Sequence, residues 1–222
     1  MKNNLPKICY WCGVNLPLNN TTKEHVPPFT FFPRGHRENL MTVPSCSDHN
    51  NNLSYLDEKF QFLIKAFKTN EIAINDLNTR VKRGFERKEK QSFIKNLEEN
   101  SRSGKIDGKP HWFLPLEQNE AELFIEKIVR GIYFYHKEKP AKGIIQSISK
   151  RIIYENGVNT IAGVDFLKED LSSDILSNGE CNNPKVFKYQ YLDFRDMFVV
   201  FMQFYDDVEF IGWKYPENFS FD

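Results

Sequence analysis

A chain of 222 residues and 26.2 kDa, 40% hydrophobic and 27% charged with 20 phenylalanines, has the composition of a globular protein of one large or two small domains. Its apolar run Phe198–Met202 is far short of the roughly 20 residues of a membrane helix, Met1–Pro6 carries no signal segment, and four cysteines with Cys181 left single are no disulfide framework. Neither secretion nor membrane spanning is expected and a cytoplasmic location is, while the formal net charge of zero conceals a window of +6 over residues 59–105, where 12 basic residues face 6 acidic ones.

The first 60 residues are rich in Asn, Pro, Cys and His and poor in long periodic runs, as in a small unit held by something other than a core. Short strands are expected near Lys7–Tyr10, Glu24–Val26 and Leu40–Val43. A helix is expected to start after Ser47-Asp48, both good N-capping residues, and to run towards Phe67. Ile74, Leu77, Val81, Phe85, Phe93 and Leu97 give helical spacing between Ile72 and Asn100, and Asp107-Gly108-Lys109-Pro110 reads as a loop. A second helix is predicted over Glu117–His136 and a third over Lys142–Tyr154. The aromatic and β-branched segments Val186–Leu192, Phe198–Tyr205 and Val208–Trp213 read as strands, with Asp206-Asp207 as a tight link.

Cys9-Tyr10-Trp11-Cys12-Gly13 has the form of a zinc knuckle. Two thiolates three positions apart can hold one ion across a tight turn. Cys46-Ser47-Asp48-His49 repeats the spacing, so Cys9, Cys12, Cys46 and His49 make a Cys3His set suited to structural Zn2+. Cys181 has no partner of this kind and reads as a core residue. His111 and His136 stand outside the pattern and read as structural.

Between the two pairs lie Glu24-His25-Val26-Pro27, Asn39-Leu40 and, directly after His49, Asn50. In order and spacing these residues resemble the HNH endonucleases, the ββα-metal or His-Me finger nucleases, over roughly residues 8–60. The resemblance implies His25 as general base and Glu24 and Asn50 as ligands of a catalytic Mg2+ or Mn2+. It implies Asn39 as the residue that pins the loop orienting His25. The chemistry is coherent on its own terms: an imidazole titrates near neutrality and can take a proton from water. A hard cation can neutralise charge on a phosphodiester. Glu stands where Asp is also common, Asn50 where the family's name expects His, and His49 where Cys is the commoner ligand.

The whole chain is therefore expected to be α+β. Residues 1–60 would form a zinc-bound, treble-clef-like ββα-metal module. Residues 61–222 would form a helical domain with a small C-terminal antiparallel sheet that positions substrate or a partner. The expected activity is metal-dependent hydrolysis of phosphodiesters, in DNA first and RNA as an alternative. By analogy the biological setting is a bacterial restriction or phage-defence effector, which in some systems works beside an ATPase. Arg34 and Arg37 in the hairpin loop, and Arg80, Lys82, Arg83, Arg87 and Lys88 on the basic segment, are the expected phosphate contacts. The competing expectation is a zinc-ribbon-like module that binds nucleic acid or a partner without catalysis. It would keep the four metal ligands and need neither His25 nor Asn50.

Overall fold

The structure, a computed structural model, describes residues 4–17, 21–106, 108–149, 176–180, 183–194 and 196–220. Cys181 and residues 150–154 of the segment expected as a third helix lie outside them. The N-terminal loop closes on itself through a bridge between Ile8 and Asn15, in place of the strand expected at Lys7–Tyr10. β1 (Thr22–His25) then pairs antiparallel with β2 (Thr42–Ser45), His25 opposite Thr42 and Glu24 opposite Val43.

The helix after β2 is shorter than expected. α1 (Ser47–Asn51) stops at Asn52, and α2 (Ser54–Ala66) begins after a bend at Leu53. Asn51 and Asn52 have low helix propensity, and the Ser54 hydroxyl donates to the Asn51 carbonyl oxygen across the break. The cap of α1 also differs: Cys46, in extended conformation, holds the N-cap position, so Ser47 and Asp48 are the first helical residues.

The periodic stretch from Ile72 to Asn100 is helical but interrupted. α3 (Glu71–Asp76) is capped by the Asn70 side chain, which accepts from the Ala73 amide, and passes through a π-helical turn at Leu77–Val81 into α4 (Lys82–Phe85). α5 (Gln91–Asn100) follows. Leu77, Val81 and Phe85 form a small core of their own with Phe62, Phe93 and Ile94. Of the loop expected over 107–110, Lys109 and Pro110 instead open a strand, β4 (Lys109–Phe113), which pairs antiparallel with β3 (Arg102–Ile106).

α6 (Gln118–Lys137) runs through the middle of the molecule, with Phe124, Ile128, Ile132 and Tyr135 all buried. It packs on a five-stranded antiparallel sheet of order β5-β9-β8-β7-β6, formed by β5 (Ile145–Ser149), β6 (Ser177–Asn178), β7 (Phe187–Phe194), β8 (Met197–Phe204) and β9 (Val208–Lys214). The helix expected from Lys142 is thus a strand over Ile145–Ser149. The β-branched Ile145 and Ile148 pair with Lys214 and Ile211 along the edge that β9 offers. Tyr205 and Asp206 take positive φ in the turn before β9, the geometry of a tight hairpin.

The expected boundary at residue 60 falls inside α2, and among the described residues the hydrophobic core extends to both sides of it. One hydrophobic cluster runs from Cys9, Tyr10, Val26 and Val43 through Phe60, Phe124 and Ile128 to Phe204 and Phe210. α6 comes close to the hairpin at Gly131, where a Cβ would stand 2.5 Å from Val26 Cγ2. Only glycine lets the helix lie this near the strand end that follows His25. Among the described residues no helix is long and apolar enough to cross a membrane.

Candidate metal centre and the hairpin beside it

The knuckle turn is built by its backbone. The Cys9 amide donates to the Val14 carbonyl oxygen at 2.9 Å, the Gly13 amide donates to the Cys9 carbonyl oxygen at 2.9 Å, and Gly13 takes φ +75°. The Tyr10 amide donates to Pro44 at 2.9 Å and ties the turn to β2. Cys46 leaves the end of β2, and His49 sits one turn into α1. Knuckle, strand and helix thereby bring the ligand atoms of Cys9, Cys12, Cys46 and His49 within 4.8 Å of one another. Cys46 Sγ is 3.0 Å and Cys9 Sγ 3.8 Å from His49 Nδ1. Thiolate and imidazole donors at about 2.0–2.3 Å from a shared centre fit these separations, so the cluster could hold a metal such as zinc. Among the described residues it is the one group of three or more Cys, His, Asp or Glu side chains so gathered.

Ionisation suits the role at Cys9 and His49, while burial raises the pKa of Cys12. Burial works against a charged Cys9, yet the amides of Cys12, Cys46 and Trp11 prevail and lower its pKa. Burial lowers that of His49, favouring the neutral, ligating imidazole. Trp11 stacks on the His49 ring at 5.5 Å, and the Arg130 guanidinium lies 4.9 Å from the Trp11 centroid.

His25 ends β1, half-buried, with the Phe29 ring 5.1 Å away. Burial, helped by nearby Lys23, lowers its pKa, so the imidazole is neutral at pH 7 and able to accept a proton. Arg37 continues this arrangement: its guanidinium covers Phe29 at 4.4 Å while Nε donates to the Phe32 carbonyl oxygen at 2.8 Å. Arg34 is exposed on the same loop. Asn39 is exposed and adopts φ 51°, a left-handed conformation that Asn tolerates, just before Met41 accepts the Val26 amide. Asn50 is half-buried on α1, and its amide caps back to the Cys46 carbonyl oxygen.

Glu24 departs from its expected surroundings. It is 5% exposed, and its Oε1 lies 3.0 Å from Nζ of Lys127 on α6. The same ammonium donates to both Asp57 carboxylate oxygens at 2.8 Å. Burial, reinforced by Asp57 and opposed by Lys127, pushes the Glu24 carboxyl up to about 7. The Tyr10 hydroxyl is buried without a hydrogen-bond partner among the described residues, and Glu24 and Asp57 add to the burial that raises its pKa. Sequence reasoning did not reach Lys127, because a lysine inside an amphipathic helix reads as a solvated side chain until its partners are known. Asp57 is the second salt-bridge partner of Lys127, while Glu58 pairs with Lys90.

The basic residues divide. Lys82, Arg83, Arg87 and Lys88 are exposed. Arg80 is not available in the same way: its Nε donates to Asp76 at 2.8 Å and its Nη2 to the Thr30 carbonyl oxygen at 2.8 Å. Buried Lys65 also pairs with Asp76, and Gln61 donates to Thr30, so this group anchors the loop between His25 and Arg34. His136 meets the Tyr189 hydroxyl at 2.9 Å and belongs to the aromatic core, as expected of a structural histidine. Comparison with protein families, curated proteins and solved structures finds no match to this chain.

Proposed function

We propose that the protein is a zinc-stabilised endonuclease that hydrolyses phosphodiesters in DNA, with His25 as general base. The observation that carries this is a half-buried imidazole at the end of a two-stranded hairpin, its pKa lowered by that burial. The helix that follows the hairpin shares a clamped Cys3His cluster with the knuckle. His25 would take the proton of the attacking water, and Phe29 would hold its ring. Arg37, laid over Phe29, would offer its free guanidinium nitrogens to the phosphate flanking the scissile bond. Asn39 would set the turn that returns the chain to β2 beside His25.

A hard cation such as Mg2+ or Mn2+, when bound, would supply charge neutralisation at the phosphate. Asn50 offers a carbonyl oxygen of the right chemistry for it, whereas the buried, ammonium-bound carboxylate of Glu24 does not fit a well-hydrated ion. That misfit favours the second reading, a non-catalytic zinc module that binds nucleic acid through Lys82, Arg83, Arg87 and Lys88. Incubation of the zinc-loaded protein with plasmid DNA, with and without Mg2+, Mn2+ and EDTA, separates the two. Cation-dependent nicking or linearisation supports the nuclease. Retarded but intact DNA supports the binding module.

A further inference from the structure

We infer that Glu24 serves this site as a positioning residue, anchored by Lys127 of α6, and not as a ligand of a catalytic cation; the inference rests on the nuclease reading. Four observations converge on it. Lys127 is 2% exposed and has two carboxylates around its ammonium, Asp57 at 2.8 Å and Glu24 at 3.0 Å. The three groups come from β1, α2 and α6, so the cluster is the polar joint at which the hairpin, the helix after the knuckle and the central helix meet. Arg130 and Gly131, three and four residues on from Lys127 and so on the same face of α6, meet Trp11 and Val26. The turn of α6 from Lys127 to Gly131 is thus fitted to this part of the chain. Finally, neighbouring side chains on a strand point to opposite faces. Holding Glu24 against α6 therefore turns His25 the other way, towards Phe29.

A hydrated Mg2+ or Mn2+ would have to break this joint to reach Glu24, since the carboxylate is buried and Oε1 is already engaged. The role left to Glu24 is to fix the strand one residue before the base. Replacement by Gln keeps an oxygen that accepts from Lys127, so it preserves a positioning role and removes the charge that a cation ligand needs.

The test uses the full zinc-loaded chain and Mn2+ as probe. Mn2+ titration followed by electron paramagnetic resonance should give Glu24→Gln a Kd within about twofold of the wild type. A weakening of tenfold or more would overturn the inference. Cleavage should survive in Glu24→Gln and Lys127→Arg and fall in Glu24→Ala, with the loss in kcat and KM little changed. Loss in Glu24→Gln equal to that in Glu24→Ala would contradict it. Denaturation of Glu24→Ala, Lys127→Met and the double variant should be non-additive, since Ala removes the contact that Gln would keep, with Asp57→Asn in place of Lys127→Met if the latter does not fold. Additive effects would also overturn the inference. A wild type that neither cuts DNA nor binds Mn2+ would reject the nuclease reading instead, and the double-variant measurement then decides alone whether Lys127 anchors Glu24.

Discussion

Trp11 and His49 lie stacked, 5.5 Å between ring centroids and 20° from parallel, so the histidine of the candidate metal cluster is held by one of the two residues between the knuckle cysteines. Knuckle and helix are thereby joined twice, through the gathered Cys3His side chains and through aromatic contact. The same cluster extends into the core through Cys9 and Tyr10, both fully buried.

One zinc per chain is expected by elemental analysis, and its removal should be felt by the whole protein. The core is continuous from Tyr10 to Phe210, so chelation or Cys9→Ser should lower a single cooperative transition and not melt residues 1–60 alone. A loss of about 4 kcal/mol would lower Tm by about 8–16 °C in a chain of this size. Calorimetry with and without chelator checks both the shift and the number of transitions.

Lys127→Met should be among the most damaging substitutions outside the metal ligands. It leaves Glu24 and Asp57 buried without their shared counter-ion, a change that typically costs about 3–5 kcal/mol. Chemical denaturation would show it as a lower midpoint with zinc content unchanged. Lys127→Arg should cost less than half as much.

The raised carboxyl of Glu24 gives the protein a pH signature of definite sign. A group whose pKa is higher folded than unfolded stabilises the fold below its unfolded value, about 4.5, and that contribution is lost as pH rises through its folded value, about 7. Between these limits the stability of the wild type relative to Glu24→Gln should therefore fall with rising pH. At ~1.4 kcal/mol per unit the full effect is on the order of 3 kcal/mol. Comparing the two proteins at each pH cancels the acid-induced loss of zinc, which affects both alike.

The basic residues should separate into two classes. Charge reversal at Arg83, Arg87 or Lys88 should weaken DNA binding and reduce its salt dependence by about one unit per lost phosphate contact. Arg80→Ala should leave that slope unchanged and instead lower stability by about 1–3 kcal/mol, since it strips Asp76 and the Thr30 carbonyl oxygen of a charged donor. Binding titrations at several salt concentrations, paired with denaturation, distinguish the classes.

What could be read from the sequence was whatever is local. The two ligand pairs, the β8–β9 hairpin and the apolar stripe of α6 each announce themselves within a few residues, by spacing, by turn chemistry or by period. The partners of Glu24 and Arg80 were not legible, because Lys127 and Thr30 are brought to them by the packing of α6 and α2. The strand at Ile145–Ser149 was misread for the same kind of reason. Ile144, Ile145 and Ile148 fit a helical stripe, and the open edge of β9 decides otherwise. The β3–β4 pair was read only as its turn, because Gly108 and Pro110 marked a loop more strongly than the flanking residues marked strands.

The most direct test of the nuclease assignment is the single-turnover cleavage rate of His25→Ala on plasmid DNA, measured beside its zinc content and its DNA affinity. Loss of a general base should slow cleavage by about 10^2–10^4-fold, while zinc stays at one equivalent and affinity stays within about twofold of the wild type. Cleavage by His25→Ala at the wild-type rate would contradict the assignment of catalysis to this hairpin.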